Sequence, residues 1–144
     1  MAFNLTRMTI YALVAALEED LRFLVKEHID NESLIDPDLI SRSKSRIEKD
    51  IGSPFGDLDL NDIIDYFDLG DTFQTINTNR AHFPEHVSKF IKLMTKRFET
   101  IVSIRNRVMH IRPLNFDDLP IVSEFCKSLL DSGNSIPWTN VRET

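Results

Sequence analysis

Three residues near the end of the longest amphipathic stretch could do chemistry together: Arg105, Asn106 and His110. Histidine is the side chain whose ordinary pKa suits proton transfer near neutrality. Arg105 carries a permanent charge on a planar fork of N–H donors, which matches a phosphate. Asn106 adjoins it and can orient the guanidinium. Arg105 also stands where helical periodicity calls for an apolar residue. With Val87, Ile91, Met94, Phe98, Ile101 and Val108 on one stripe, it falls near the stripe's centre at about 100° per residue. A guanidinium is seldom buried without a partner. His110 follows five residues later, about 140° further round a regular helix. One continuous helix would not aim both groups at the same atom. Either the helix bends near Pro113, or the groups meet through a second copy of the chain across a two-fold interface. The face around His110 is polar, with Glu99, Ser103 and Asn106 at helical spacing.

Arg105-Asn106-x-x-x-His110 resembles the R-x(4–6)-H signature of the HEPN superfamily, including the polar residue that often follows the arginine. The resemblance covers this helix and the general helical layout. It implies a compact all-α bundle with the signature late in the chain. It also implies a homodimeric, metal-independent endoribonuclease of toxin or antiviral-defence type, without cofactor. A cognate antitoxin, or a fused or associated NTPase, would be its partner, and the chain could be the N-terminal domain of a larger defence protein. Cleavage by ribose 2′-hydroxyl attack needs a base for the hydroxyl proton, a cation for charge on the phosphorane, and an acid for the leaving oxygen. His110 and Arg105 match the first two needs, and Asn106 can position the ribose or the arginine. The implied products are a 2′,3′-cyclic phosphate and a 5′-hydroxyl, and the substrate must be RNA because DNA lacks the 2′-hydroxyl.

Two other readings use the same residues. In one, the chain is a non-catalytic HEPN-like module that dimerises or holds RNA or a partner. In the other, it is a helical interaction domain unrelated to that superfamily. Arg105 would then be a core arginine paired with an acidic residue of the first helix, and His110 a cation favoured by the helix C-terminus.

Length and composition bound these readings. The 144 residues suit one domain, with net charge −6 and a single cysteine, Cys126. An acidic total excludes a generally basic nucleic-acid platform, so any RNA surface is a local patch. One cysteine forms no intramolecular disulfide and fits a reducing cytoplasm. Between Phe125 and Leu129 it reads as a small buried hydrophobe. The apolar run Ile10 to Leu17 is too short to span a membrane, and the N-terminus lacks the pattern of a secretory signal. No G-x-x-x-x-G-K-[ST] loop or G-x-S-x-G elbow is present.

The elements that must position the site number about five helices, in a bundle over residues 1–133. The first runs from about Thr6 to His28, with Ile10, Leu13, Val14, Leu17, Leu21, Leu24 and Val25 on one face. Glu18, Glu19 and Asp20 bunch in its middle beside Arg22. They make either a solvated acidic turn with a local ion pair, or a source for one carboxylate that meets Arg105 or orients His110. Asp36, Pro37 and Gly52 punctuate a second helix. Its Arg42, Arg46 and Lys49 share a side and are candidate phosphate contacts, or an ordinary charged surface with Asp38, Glu48 and Asp50. A third helix covers Leu58 to Phe67. Gly70 and Asp71 permit a break before Thr72 to about Asn79.

His82 and His86 flank Pro84, which argues against a helical zinc pair. The long helix starts at Pro84-Glu85 and continues to about His110. Lys89, Lys92, Lys96, Arg97, Arg107 and Arg112 make it basic, with Arg107 and Arg112 as candidate RNA contacts. Asn115 can cap a last helix, with Asp117 and Asp118 in its first turn and Gly133 ending it. Residues 134–144 read as a linker to a further segment, or as a tail that folds back and buries Trp138.

Overall fold

Helix α1 (Leu5–His28) is the axis of the molecule, because five other helices pack on it. In the computed structural model, residues 4–52, 58–131 and 136–144 are described. Those residues form seven α-helices and no strand. After α1 come α2 (Pro37–Ile51), α3 (Leu60–Ile64), α4 (Leu69–Thr78), α5 (Glu85–Met109), α6 (Asp118–Asp131) and α7 (Thr139–Glu143). Single 3-10 turns at Glu32–Leu34 and Arg80–His82 join α1 to α2 and α4 to α5. The all-α bundle expected from periodicity is what forms. Six of the seven described helices fall in segments read as helical, α3 being shorter than the Leu58 to Phe67 anticipated, and the addition is α7, whose five residues are too few to display a helical period.

α1 buries Ile10, Val14, Leu17, Leu21, Leu24 and Val25 against α3, α4, α5, α6 and α7. Three aromatic rings carry the packing across the middle. Phe73 of α4 stacks on Phe98 of α5 at 4.8 Å, and Phe98 meets Phe125 of α6 edge-on at 5.0 Å. Such arrangements add to area burial because ring edges and faces carry opposite partial charge. Arg97 lies over the Phe125 ring, 5.2 Å from its centre.

The punctuation of α2 is as read: the Asp36 side chain accepts from Asp38 N–H, Pro37 opens the helix, and Gly52 ends it at φ 79°. That φ is the left-handed conformation glycine adopts without strain. The anticipated break at Gly70-Asp71 does not occur. α4 begins at Leu69, and Asp68 and Asp71 form a reciprocal capping box around its start, so Gly70 lies inside the first turn. The last helix also starts later than Asn115. Asp118 is buried, accepts from Asn115 N–H at 2.8 Å and leads α6, while Asp117 stays outside it. The proposed helix stop at Gly133, and residues 134 and 135 of the tail, lie outside the described residues.

Residues 136–144 fold back onto the bundle. Ile136, Trp138 and Val141 are all buried, and the Trp138 ring meets Phe90 at 6.0 Å. Asp20 of α1 holds the start of α7: its carboxylate accepts from Asn140 N–H, Asn140 Nδ2 and Val141 N–H at 2.9–3.0 Å. Trp138 sits at φ 47°, an expensive conformation for a bulky residue, maintained here by burial of its ring. No helix among the described residues is long and apolar enough to cross a membrane.

Candidate functional site

α5 stops where His110 must leave helical register. The Ile111 N–H bonds to Val108 C=O and the Arg112 N–H to Arg107 C=O, the paired closure of a Schellman end. This geometry puts Ile111 at φ 52°, although a glycine is usual there and a β-branched side chain is strained. Arg7 of α1 adds a brace. Its guanidinium donates to the carbonyls of Arg107, Val108 and Arg112, which satisfies acceptors left open at the helix end. His110 is therefore on a fixed corner, exposed, and its imidazole makes no hydrogen bond among the described residues.

Arg105 is set one turn earlier and nearly withdrawn from water, with its side chain 15% exposed. Its Nε donates to Glu18 Oε1 at 2.9 Å across the α1–α5 contact, and Nη1 lies 3.7 Å from Asp68 Oδ2. Asn106 Oδ1 accepts from the same Nη1 at 3.3 Å. Glu18 Oε1 also accepts the Leu69 N–H at 2.9 Å, at the start of α4. One carboxylate thus ties α1, α4 and α5 together at the site. The arginine that interrupts the apolar stripe has the acidic partner that burial demands. Of the acidic trio, Glu18 meets Arg105, Asp20 holds α7, and Glu19 is exposed.

His110 and Arg105 line one open groove of about 450 Å³, with Glu18, Arg22, Arg46, Asp65, Tyr66, Phe67 and Asp68 as its other walls. The departure of His110 from the helix lets a single chain present both groups to one space. Arg46 enters from α2, donating to Asp71 Oδ2 and Tyr66 C=O, each at 2.8 Å. Arg42 joins the same cluster through Asp71 at 3.5 Å, and Lys49 is exposed further along α2. The Tyr66 hydroxyl is held above its ordinary pKa by its hydrogen bond to Asp50.

Arg107 and Arg112 are not part of this groove. Arg107 bonds to the Asp118 carboxylate at 2.6 Å and to Ser103 Oγ, in a separate groove between α5 and α6. That pairing caps α6 and occupies the guanidinium, so the basic stripe read along α5 does not converge on His110. Arg112 is exposed beyond the helix end, with its carbonyl bonded to Arg7. His82 and His86 are both exposed, and no group of three or more His, Cys, Asp or Glu able to hold a metal occurs among the described residues.

Asp68, Asp65 and Tyr66 were not singled out in the sequence, and Arg22 was read there only as part of a local ion pair. Asp68 was hidden because its capping box uses aspartate at the third helical position, beside a glycine that looks like a breaker. Arg22 looked like the local partner of Glu18, Glu19 and Asp20. Instead its Nη1 donates to Phe67 C=O at 3.0 Å, and no carboxylate lies within ion-pair distance among the described residues. Comparison of the chain with protein-family models, with curated proteins and with solved structures returned no match.

Proposed function

We propose that this chain is a metal-independent endoribonuclease of HEPN type, with His110 as proton-transfer group and Arg105 as the pre-oriented cation. The observation that carries this reading is the shared groove: an unpartnered imidazole on a braced corner faces the same space as a nearly buried, hydrogen-bonded guanidinium. Orientation before substrate arrives is what makes an electrostatic group effective at a developing charge. In the proposed reaction, the imidazole takes the 2′-hydroxyl proton while O2′ bonds to phosphorus. The P–O5′ bond breaks, and a protonated imidazole supplies the proton to the leaving 5′-oxygen. In a homodimer the second proton can come from the partner copy's imidazole. Toxin or defence biology, with an antitoxin or NTPase partner in a cytoplasmic setting, follows from the HEPN resemblance.

A second reading, a non-catalytic module that dimerises or binds RNA or a partner, draws on one specific feature. The Arg105 guanidinium already faces two carboxylates, Glu18 and Asp68, as a structural arginine would. His110→Ala separates the two. The imidazole has no side-chain bond to lose, so the variant keeps wild-type stability. Expressed beside the wild type at matched level, it should abolish both growth arrest and RNA ends bearing cyclic phosphate. Undiminished cleavage by His110→Ala would remove His110 from the reaction, and a wild-type chain that cuts no RNA would favour the non-catalytic module.

A further inference from the structure

The groove at His110 does not end at Arg22. Arg22 and Asp65 also line a second groove of about 420 Å³, whose other walls are Glu19, Asp20, Phe23, Lys26, Thr139 and Asn140. The two grooves adjoin at Arg22 and Asp65, between the end of α5 and the start of α7. The charges along them are unevenly committed. Glu18 is held by Arg105, Asp68 and Asp71 by Arg46, and Asp65 by Lys26. Asp20 is buried under α7, and Glu19 is exposed at the rim of the second groove with no cation partner among the described residues. Arg22, which lines both grooves, has no carboxylate partner among the described residues, and its one hydrogen bond there is to a backbone carbonyl. Next to it Phe23 is 57% exposed, an aromatic face offered to the second groove where an ordinary surface helix would carry a polar residue.

We infer that Arg22 and Phe23 form a nucleotide subsite for unpaired RNA, with Arg22 on a phosphate adjoining the one held at Arg105 and Phe23 stacked on a base. This rests on RNA being the ligand of the His110 groove. An uncommitted cation beside an exposed aromatic ring is the pairing that single-stranded nucleic acids use, because every base has a stackable face and every linkage a charge. A base within a duplex is already stacked and offers no free face, so the subsite selects unpaired segments.

The test uses the full chain carrying His110→Ala, so that nothing is cut, with a 5′-fluorescein-labelled oligouridine hexamer followed by anisotropy at several salt concentrations. Phe23→Ala should weaken binding about 5- to 150-fold, the range for losing one stacked base, and Phe23→Trp should restore it. Arg22→Gln should weaken binding and flatten the logarithmic salt dependence by about 0.7, the value for one phosphate contact on a single strand. A perfectly paired RNA duplex should bind more weakly and ignore Phe23.

Phe23 is exposed, so loss of fold does not confuse the result, and thermal unfolding of each variant checks this. Unchanged hexamer binding in both Phe23→Ala and Arg22→Gln overturns the subsite, as does a parent that binds no hexamer. If the wild-type chain, with His110 in place, nevertheless cleaves RNA in the first of those cases, the nuclease reading survives without the subsite. Binding that depends on both residues, with no cleavage by the wild type, leaves the subsite standing and removes the nuclease.

Discussion

Breaking the Glu18–Arg105 pair should be among the costliest single changes in the bundle that touches no apolar side chain. Both side chains are largely withdrawn from solvent, 13% and 15% exposed, and the Nε···Oε1 distance is 2.9 Å. A hydrogen bond to a charged partner contributes roughly 1.5–3 kcal/mol. Glu18→Gln keeps an oxygen for the Leu69 N–H and should cost about 1.5–3 kcal/mol through the lost charge. Arg105→Met, which leaves Glu18 half-satisfied, should cost about 2–3 kcal/mol. The double variant removes both charges, so its cost should fall short of the sum by about 1.5–3 kcal/mol. Urea unfolding reads each corner of this cycle, where about 2 kcal/mol moves the midpoint by roughly 1 M. The Glu85–Lys89 pair serves as a control in the same molecule: its side chains are 81% and 72% exposed, and its coupling should stay below about 0.5 kcal/mol. A Glu18–Arg105 coupling no larger than that control would refute the argument that burial makes this pair structural.

Asp20→Ala removes three acceptor contacts from the start of α7 and should cost about 2–4 kcal/mol. Trp138, the only tryptophan, reports it: its emission should shift to the red at lower urea than the loss of helical signal. Coincident transitions at the wild-type midpoint would mean that Asp20 does not hold the tail. Burial pushes the Cys126 thiol up to about 11, so at pH 8 alkylation of the folded protein should be at least about a hundredfold slower than that of an exposed thiol. Because folding raises this pKa, the stability it contributes is full below the unfolded thiol's value and is lost as pH climbs from about 9 through 11. Cys126→Ala should lack that loss, and equal pH profiles for the two proteins would exclude it.

What was legible in the sequence divides along a physical line. α1, α2 and α5 each bury one long face, and a period of 3.6 sustained over four or more turns is visible in the residues alone. The caps of α2 act within a few positions, so Asp36, Pro37 and Gly52 mark both ends. α7 is held by partners far away in the chain. The clearest case is Asp20, which caps α7 across 120 positions. Such contacts leave no local trace, and the fold-back of Trp138 could not be told from a linker. The start of α4 was misplaced for a local reason: Gly70 looked like a stop, and the Asp68–Asp71 capping box uses aspartate where glutamate or glutamine is the usual signal.

The two arginines of the groove show how this limit acts on a functional reading. Arg105 drew notice because it breaks an apolar stripe, yet a break of that kind arises whenever a distant carboxylate satisfies the charge. Here Glu18 does so from 87 positions away. Arg22 drew none because three acidic residues precede it, and sequence proximity looked like neutralisation. On a helix, however, Glu19 and Asp20 point elsewhere, and Glu18, one turn back, is already taken by Arg105. What makes a cation available to a ligand is the absence of a competing carboxylate in space, and neither conspicuousness nor local charge in the sequence measures that. The prior commitment of Arg105 therefore fits it for holding a fixed position, and the freedom of Arg22 fits it for gripping a mobile chain. The proposed reaction would use both, so the Glu18–Arg105 cycle and the Arg22 salt dependence should give opposite signatures: one insensitive to salt and expressed in stability, the other sensitive to salt and expressed in binding.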